Sequence, residues 1–403
     1  MSTNIQKNQI TEGIIWRQLL LFFFPILLGT FFQQLYNTID SVIVGQFVGK
    51  EALAAVGGSS AQIVAFVVGF FTGLSSGASV TIAQFFGAKD SRSANKGLHT
   101  AYAIAAFGGL ILTVSGIILT PFLLEMMNTP ADIVADSAVY LRIYFAGIIF
   151  VLIYNMGSAI LRATGDSKRP LYYLIVCCII NIVLDVLFVI VFHMGVMGVA
   201  VATLIAQAVS AVLVTLKLMR SEGILKLSVK QIRFHGSILK MQLKLGLPTG
   251  FEAILFSITN IAIQSAVNTF GTDTTAAWSA YGKLDAIFWM VSTAFGIAIT
   301  TFVGQNYGAG KMDRVRKSTR VCLLMDFIVS AVLVVFLIAA RFLLFRLFTN
   351  DSHVIEIGCD MLVLITPWYI VYVFIEVIAG ALRGVGNVVV PVAITLLGVC
   401  LLY

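Results

Sequence analysis

Charged residues are scarce in this chain of 403 residues: Asp, Glu, Lys and Arg make up 11% of it, against roughly 25% in ordinary soluble domains. Hydrophobic residues make up 59%, and the mean hydropathy is +0.98. So little charge excludes an ordinary water-soluble fold. Several apolar runs are long enough to cross a hydrocarbon core of about 30 Å as helices of about 20 residues. The sequence therefore predicts an all-α polytopic membrane protein.

Signals for cofactors are also absent from the sequence. The four histidines and five cysteines do not fall at metal-ligand spacing, and glycine-rich phosphate-binding loops do not occur. The roughly ten-residue segments of alternating polarity that build a membrane barrel are missing as well. We therefore expect neither a cofactor nor a resident metal, and a helical architecture.

The basic excess of the chain, a net charge of +7, is concentrated between the apolar runs. Most Lys and Arg residues lie on alternate loops, so the positive-inside rule predicts a cytoplasmic N-terminus. One connecting segment carries or adjoins seven of them: Lys217, Arg220, Lys226, Lys230, Arg233, Lys240 and Lys244. We interpret these as topology signals and contacts for anionic membrane lipid, and we expect no nucleic-acid partner.

Eleven helices are predicted from the apolar runs. Their approximate bounds are 17–44, 52–85, 96–124, 138–162, 170–192, 196–219, 243–268, 276–307, 318–346, 357–382 and 388 to the end. Several exceed 25 residues, so we expect tilted helices or helices that protrude beyond the lipid.

Short motifs recur in the loops at a constant spacing, which indicates an internal repeat. AQFFGAKDSR, from Ala83, is similar to GQNYGAGKMDR, from Gly304, at an offset of 221 in residue number. LRATGDSKRP, from Leu161, is similar to LRGVGNVVVP, from Leu382, at the same offset. We therefore expect two six-helix bundles that enter the membrane in the same sense, related by a pseudo-twofold axis along the membrane normal.

The repeat also sets the expected domain boundaries. Residues 1–220 form an N-terminal six-helix lobe, 221–242 a basic cytoplasmic linker, and 243–403 a C-terminal lobe with helices seven to eleven. A second repeat as long as the first would extend beyond the last residue of this chain, so we expect a fragment that lacks helix twelve. Near the start of the two lobes, Asn37 corresponds to Asn260 at an offset of 223.

Polar side chains interrupt the first, fifth and sixth predicted helices. At about 1.5 Å of rise per residue, Asp40, Asp185 and Thr203 lie roughly 8–10 Å from the outer ends of their helices. Tyr36 precedes Asp40 by four residues and Asn181 precedes Asp185 by four, so each pair shares a helix face. Two carboxylates in a partly dehydrated pocket do not both stay ionised easily, and a proton or a small cation would neutralise them. The sequence therefore predicts a coupling-ion site, with interfacial acids that reach water as the alternative.

Further polar residues within the predicted helices are candidates for a substrate cavity. They are Gln33, Asn37, Asn155, Glu252, Asn260, Lys283, Asp285 and Glu376. Gln33 lies two turns from Asp40 on the same predicted helix face. Polar contacts between helices, or charged side chains that reach water at the helix ends, account for the charged members equally well.

Three sequence elements together resemble the MATE (multidrug and toxic compound extrusion) family, in its DinF-like branch: PILLGTFFQQLYNTIDSVIVG, the LRATGDSKRP loop and the GQNYGAG turn. The resemblance implies a proton- or sodium-driven antiporter that exports organic cations, drugs or amphipathic metabolites by alternating access. It implies a monomer in the bacterial plasma membrane. It further implies that Asp40 and Asp185 carry the ion, as a proton or as Na⁺, with Tyr36, Asn181 and Thr203 as supporting ligands.

One departure from the family pattern and two alternative functions remain. Where another branch carries a carboxylate in helix seven, this chain has Phe256 and Ser257, so the resemblance implies no ion site there. A flippase for a lipid-linked precursor would need a strongly cationic cavity, whereas Lys283 is the only basic residue predicted deep in a helix. An intramembrane enzyme with Asp40 and Asp185 as an aspartyl dyad would not need the parallel repeat. We therefore expect a transporter and not an enzyme.

Overall fold

The computed structural model describes residues 10–402, with side chains up to Leu397. Over this range the secondary structure is helical, and the helices are joined by turns and short loops. The α-helices are α1 (Ile15–Phe47), α2 (Lys50–Gly57), α3 (Ser59–Gly87), α4 (Ser91–Met126), α5 (Val134–Ala163), α6 (Lys168–Asp185), α7 (Gly195–Met219), α8 (Gly236–Asn268), α9 (Thr272–Gly308), α10 (Met312–Arg346), α11 (Ser352–Ile365), α12 (Tyr369–Val385) and α13 (Val389–Leu402).

The predicted all-α polytopic class is confirmed, and three predicted helices are interrupted, one of them, 170–192, by the π-helix Val186–Val191 that follows α6. Within the described range, ten helical segments are long and apolar enough to cross a membrane. The predicted helix 52–85 is divided at Gly58, whose φ of −84° and ψ of −123° are not helical. The predicted helix 357–382 is divided by a 3₁₀ turn, Thr366–Trp368, because Pro367 has no N–H to continue the α-helical hydrogen bonds.

The chain folds as two compact units whose boundaries lie inside helices. The N-unit is Leu28–Ile254, and the C-unit consists of the residues up to Leu27 together with those from Leu255 onward. Both boundaries therefore fall within a helix, α1 and α8, rather than at the linker 221–242. Within the C-unit, Phe23 on α1 stacks on Phe295 of α9 with ring centroids 4.0 Å apart, which ties the first half of α1 to that unit.

The internal repeat is visible in the hydrogen bonds within each unit. In the N-unit, Ser79 Oγ donates to the carbonyl oxygen of Ala159 at 3.3 Å. In the C-unit, Thr300 Oγ1 donates to the carbonyl oxygen of Gly380 at 3.0 Å. The donor and the acceptor in the C-unit are each 221 residues after their counterparts in the N-unit, Thr300 after Ser79 and Gly380 after Ala159. The two bonds join α3 to α5 and α9 to α12 in the same way.

The turn after the LR motif is also the same in both units. The N–H of Gly165 donates to the carbonyl of Arg162, and that of Gly386 donates to the carbonyl of Arg383, both at 2.9 Å. The φ angles of the two glycines are +98° and +92°. Only glycine adopts this left-handed conformation without strain, so the matching glycines in the sequence mark one turn used twice.

In the N-unit, α3 and α8 touch backbone to backbone. Gly73 and Gly77 on α3 face Gly246 and Gly250 on α8. A Cβ atom at Gly73 would lie 2.5 Å from the backbone nitrogen of Gly250, and one at Gly77 would lie 2.4 Å from that of Gly246. Paired glycines four residues apart allow such close approach of membrane helices. This contact ties the first half of α8 to the N-unit.

We expect Gly77→Ala to lower the free energy of unfolding by about 1–3 kcal/mol, because the added methyl group overlaps backbone atoms and the helices must separate. Gly69→Ala is the matched control on the same face of α3, since its Cβ would meet the Cβ of Ala253 at 3.6 Å, an ordinary contact. Equilibrium unfolding in mixed micelles measures both variants. Equal stability of the two variants would refute the backbone contact.

Candidate ion site in the N-unit

Three helices of the N-unit bring polar side chains to one buried cluster, called here the acid cluster and made of Asp40, Asn181, Asp185 and Thr203. The exposed fractions of these side chains are 7%, 1%, 0% and 7% in that order. Asp40 comes from α1, Asn181 and Asp185 from one face of α6, and Thr203 from α7. The structure thus brings together four residues that the sequence analysis grouped by depth and spacing.

Two long hydrogen bonds connect the acid cluster across the helices. Thr203 Oγ1 donates to Asp40 Oδ2, and Asn181 Nδ2 donates to Thr203 Oγ1, both at 3.5 Å. The carboxyl groups of Asp40 and Asp185 are close enough to interact directly with each other, and Asn181 also interacts with Asp40. The two acids therefore form one chemical unit rather than two separate sites.

The acid cluster has more buried acceptor atoms than donors. Among the described residues, none donates a hydrogen bond to Asp40 Oδ1, to Asn181 Oδ1 or to either carboxyl oxygen of Asp185. Buried polar atoms are nearly always paired, and two facing carboxylates in a low-dielectric interior repel each other. A proton or a cation between them removes both problems, and carboxylate, amide and hydroxyl oxygens are ligands for hard cations.

The backbone changes its helical form directly after Asp185. Residues Val186–Val191 form a π-helix, and α6 ends at Asp185 itself. A π-helical turn carries an extra residue, which rotates the side chains on either side of it relative to a regular helix. Such turns are rare and occur frequently at functional sites. Sequence reasoning missed this turn, since apolar periodicity does not distinguish it from a regular helix.

A second polar contact lies beside the acid cluster and includes a residue that sequence reasoning missed. Gln207 Nε2 on α7 donates to the hydroxyl of Tyr36 at 3.2 Å, and both side chains are buried, with 7% and 6% exposed. Gln207 follows Thr203 by four residues, so the spacing rule that paired Tyr36 with Asp40 would have found it. On α5, the rings of Tyr140 and Tyr144 stack 6.2 Å apart near Asp40.

The remaining predicted cavity residues do not join the acid cluster. Gln33, Asn37, Asn260 and Lys283 are exposed, and Asn155 is half-buried. Spacing places Gln33 on nearly the same helix face as Asp40, but its side chain is exposed.

Glu252 is buried within α8, with 5% of its side chain exposed. It lies in the N-unit, although it belongs to the lobe 243–403 that the repeat predicts.

The predicted acids of the C-unit each have protein partners. Asp285 Oδ2 accepts a hydrogen bond from Trp289 Nε1 at 2.8 Å, and Asp285 also accepts one from the hydroxyl of Tyr369. Glu376 lies 3.5 Å from the guanidinium of Arg383 on the same helix. Fixed donors thus satisfy these two acids, in contrast to the acid cluster.

Within the part of the chain that the structure describes, no group of three or more His, Cys, Asp or Glu side chains is placed to hold a metal ion. The cluster has two acids, an amide and a hydroxyl. This set suits an ion that binds and leaves.

The duplicated helical bundle, with ten described helical segments apolar enough to cross a membrane, defines a polytopic membrane protein. The chain belongs to the MatE family, whose model matches residues 25–187 and 248–403. The two matched ranges begin at residues that the repeat pairs, Pro25 and Pro248. The resemblance to the MATE family is therefore confirmed, and the DinF-like branch stays a prediction.

Curated relatives cover nearly the whole chain. It is 30% identical over 393 residues to the probable multidrug resistance protein YoeA of Bacillus subtilis, a match that covers 96% of this chain and 84% of YoeA. It is 27% identical over 407 residues to the probable multidrug resistance protein NorM of Thermotoga maritima, with 98% and 85% covered. The family and these relatives are transporters and not enzymes.

Solved structures share the fold. An outward-facing multidrug resistance MATE family transporter of the MOP superfamily superposes with a TM-score of 0.91 at 22% identity, and the match covers 99% of this chain and 89% of that one. A MOP superfamily transporter from Pyrococcus furiosus gives a TM-score of 0.89 at 22% identity, with 99% and 89% covered. At this identity the likeness shows the fold alone.

A double-mutant cycle tests the contact between Tyr36 and Gln207. We expect Tyr36→Phe and Gln207→Leu each to destabilise the protein, and the double variant to lose less than the sum, with a coupling free energy of about 0.6 kcal/mol and at most about 1.7. Equilibrium unfolding in mixed micelles measures the four proteins. Strict additivity would show that the two side chains do not interact.

Proposed function

We propose that the protein is a cation-coupled secondary antiporter that exports organic cations, drugs or amphipathic metabolites across the bacterial plasma membrane by alternating access. The observation that carries this proposal is the acid cluster, with two facing carboxyl groups and four buried acceptor atoms that lack donors among the described residues. The names of the relatives YoeA and NorM, which are probable multidrug resistance proteins, support the choice of substrates. We further propose a monomer with a cytoplasmic N-terminus.

In this proposal, the acid cluster couples ion movement to substrate export. Asp40 and Asp185 bind the ion, while Asn181, Thr203 and Tyr36 hold the two acids in position. A ligand shifts a conformational equilibrium only by its difference in affinity between the two states. An ion that binds tightly when the site faces outside, and leaves when the site faces inside, therefore drives the change of access.

Two ions fit the donor set of the acid cluster. A proton shared between Asp40 and Asp185 would remove their repulsion and leave the amide oxygen of Asn181 to a water molecule. A sodium ion would take the carboxylate oxygens, the amide oxygen and the hydroxyl of Thr203 as ligands together. The transported ion is thus H⁺ or Na⁺, and it is a substrate of the transporter rather than a cofactor.

The basic linker supports the proposed orientation. Lys230 and Arg233 are exposed, as a cytoplasmic surface that contacts anionic lipid requires. The linker residues 221–242 join the two proposed lobes, 1–220 and 243–403. These lobes are units of the sequence repeat, whereas the N-unit and the C-unit are units of packing.

We expect Asp40→Asn and Asp185→Asn each to abolish gradient-driven efflux of a cationic dye, because one remaining carboxyl group cannot bind and release the ion as the pair does. Efflux from proteoliposomes that contain the purified variants measures this loss. Asp136→Asn is the matched control, since Asp136 is an exposed acid at the start of α5, and it should transport normally. Wild-type rates in both cluster variants would remove the acid cluster from the mechanism.

The coupling ion is identified by imposing the two gradients separately. With a proton-coupled transporter, an inward proton gradient drives dye export without sodium, and a sodium gradient at equal pH does not. With a sodium-coupled transporter the outcome is reversed, and Thr203→Val should raise the sodium concentration for half-maximal efflux while Thr203→Ser should not. Efflux that follows neither gradient would rule out coupled antiport.

A further inference from the structure

A carboxyl group outside the acid cluster lies fully buried in the C-unit. Asp326 is on α10, inside a membrane-spanning segment, and 0% of its side chain is exposed. The repeat pairs it with Ala105 in the N-unit, which is also buried, with 1% exposed. The shared fold therefore accepts an alanine at this core position, and nothing in the fold requires an acid.

Asp326 has one hydrogen-bond donor among the described residues. Ser330, four residues later on α10, donates from Oγ to Asp326 Oδ1 at 3.1 Å. No described residue donates to Asp326 Oδ2, which is buried. One turn before Asp326 on the same helix, the thiol of Cys322 lies 4.0 Å from the carbonyl oxygen of Phe295, so this face of α10 packs against α9. Oδ2 is thus enclosed without a partner.

The charged group near Asp326 is an acid and not a base. Glu376 on α12 interacts electrostatically with Asp326. The Glu376 carboxylate is held by Arg383 at 3.5 Å and accepts a hydrogen bond from the hydroxyl of Tyr372 at 3.3 Å. Glu376 Oε1 also fills a notch at Gly296, where an added Cβ would overlap it. The ion pair with Arg383 therefore fixes Glu376 in place.

The titratable groups that face Asp326 are Glu376 from α12 and the thiol of Cys322 from its own helix. The residues of α9 that pack nearby, Phe295 and Gly296, carry no charge. A buried carboxylate without a cationic partner is costly in a membrane interior, and the neighbouring carboxylate raises that cost. The neutral acid avoids both costs.

We propose that Asp326 is a second protonation site of the protein, separate from the acid cluster, where the carboxyl group holds a proton on Oδ2 in the state that the structure shows. Uptake forms one O–H bond between a proton from water and the carboxylate, and release returns that proton to water. Ser330 stabilises the ionised form through its hydrogen bond to Oδ1. The negative charge of Glu376 opposes ionisation of Asp326. The size of this effect depends on how strongly Glu376 pairs with Arg383.

The site takes a proton rather than a metal cation because its oxygen ligands are too few. Asp326 and Ser330 supply one carboxylate and one hydroxyl, and the carboxylate of Glu376 is engaged by Arg383 and Tyr372. The described residues hold no third acid here that would complete a metal site.

Infrared spectroscopy of the purified, reconstituted protein tests the proposal directly through the C=O stretching band of protonated carboxyl groups. The background is Asp40→Asn/Asp185→Asn, so that neither acid of the acid cluster contributes. In this background at pH 7, we expect Asp326→Asn to remove the band intensity of one carboxyl group. Asp313→Asn, an exposed acid on the same helix, is the matched control and should change nothing. Identical spectra with and without Asp326 would overturn the proposal.

Two neighbouring variants keep the acid and should move its titration in opposite directions. Glu376→Gln removes a negative charge and releases the charge of Arg383, so the pH at which the band is half lost should fall by about 1–3 units. Ser330→Ala removes the donor to the ionised form, so that pH should rise. If Asp326→Asn does not fold, these two variants still test the proposal. A titration of the band that is unchanged in both variants would overturn it. Neither measurement depends on transport, so failure of the acid cluster as a coupling site would leave the result unaffected.

Discussion

A carboxyl group inside a membrane helix bundle needs hydrogen-bond donors or a counter-charge, and this requirement distinguishes two kinds among the intramembrane acids of the protein. Asp285 accepts hydrogen bonds from an indole and a phenol, and Glu376 pairs with the guanidinium of Arg383. Asp40 and Asp185 face each other with acceptor oxygens left over. The first kind is satisfied within the protein, whereas the second kind lacks described donors for three carboxyl oxygens.

Close helix packing keeps the acid cluster within one unit. The α1 helix passes from the C-unit to the N-unit after Leu27, so Asp40 belongs to the same packed body as α6 and α7. Likewise α8 is held to the N-unit over its first half by the glycine contacts with α3.

Most of the helices could be predicted from the sequence because long apolar runs leave few alternatives in lipid. The breaks at Gly58 and Thr366–Trp368 were missed, although the sequence carries residues that interrupt helices at both places, Gly57 to Ser60 and Pro367. The acid cluster could be predicted because helical rise gives depth and a spacing of four gives a shared face. The exposure of Gln33 could not be predicted, because it depends on which neighbouring helix lies at that level. Asp326 with Ser330 shows the same four-residue spacing as the predicted pairs, so the signal was present in the sequence.

The duplication copies the scaffold but not the acids. The turn glycines and the hydrogen bonds between helices recur in both units, yet Asp40 corresponds to Ile263, Asp326 to Ala105 and Glu376 to Asn155. Three of the acids therefore have an uncharged residue at the equivalent position of the other half. Arginine is present in both copies, as Arg162 and Arg383, while its acidic partner Glu376 occurs in one. The two halves thus share one architecture and differ in the charges they enclose.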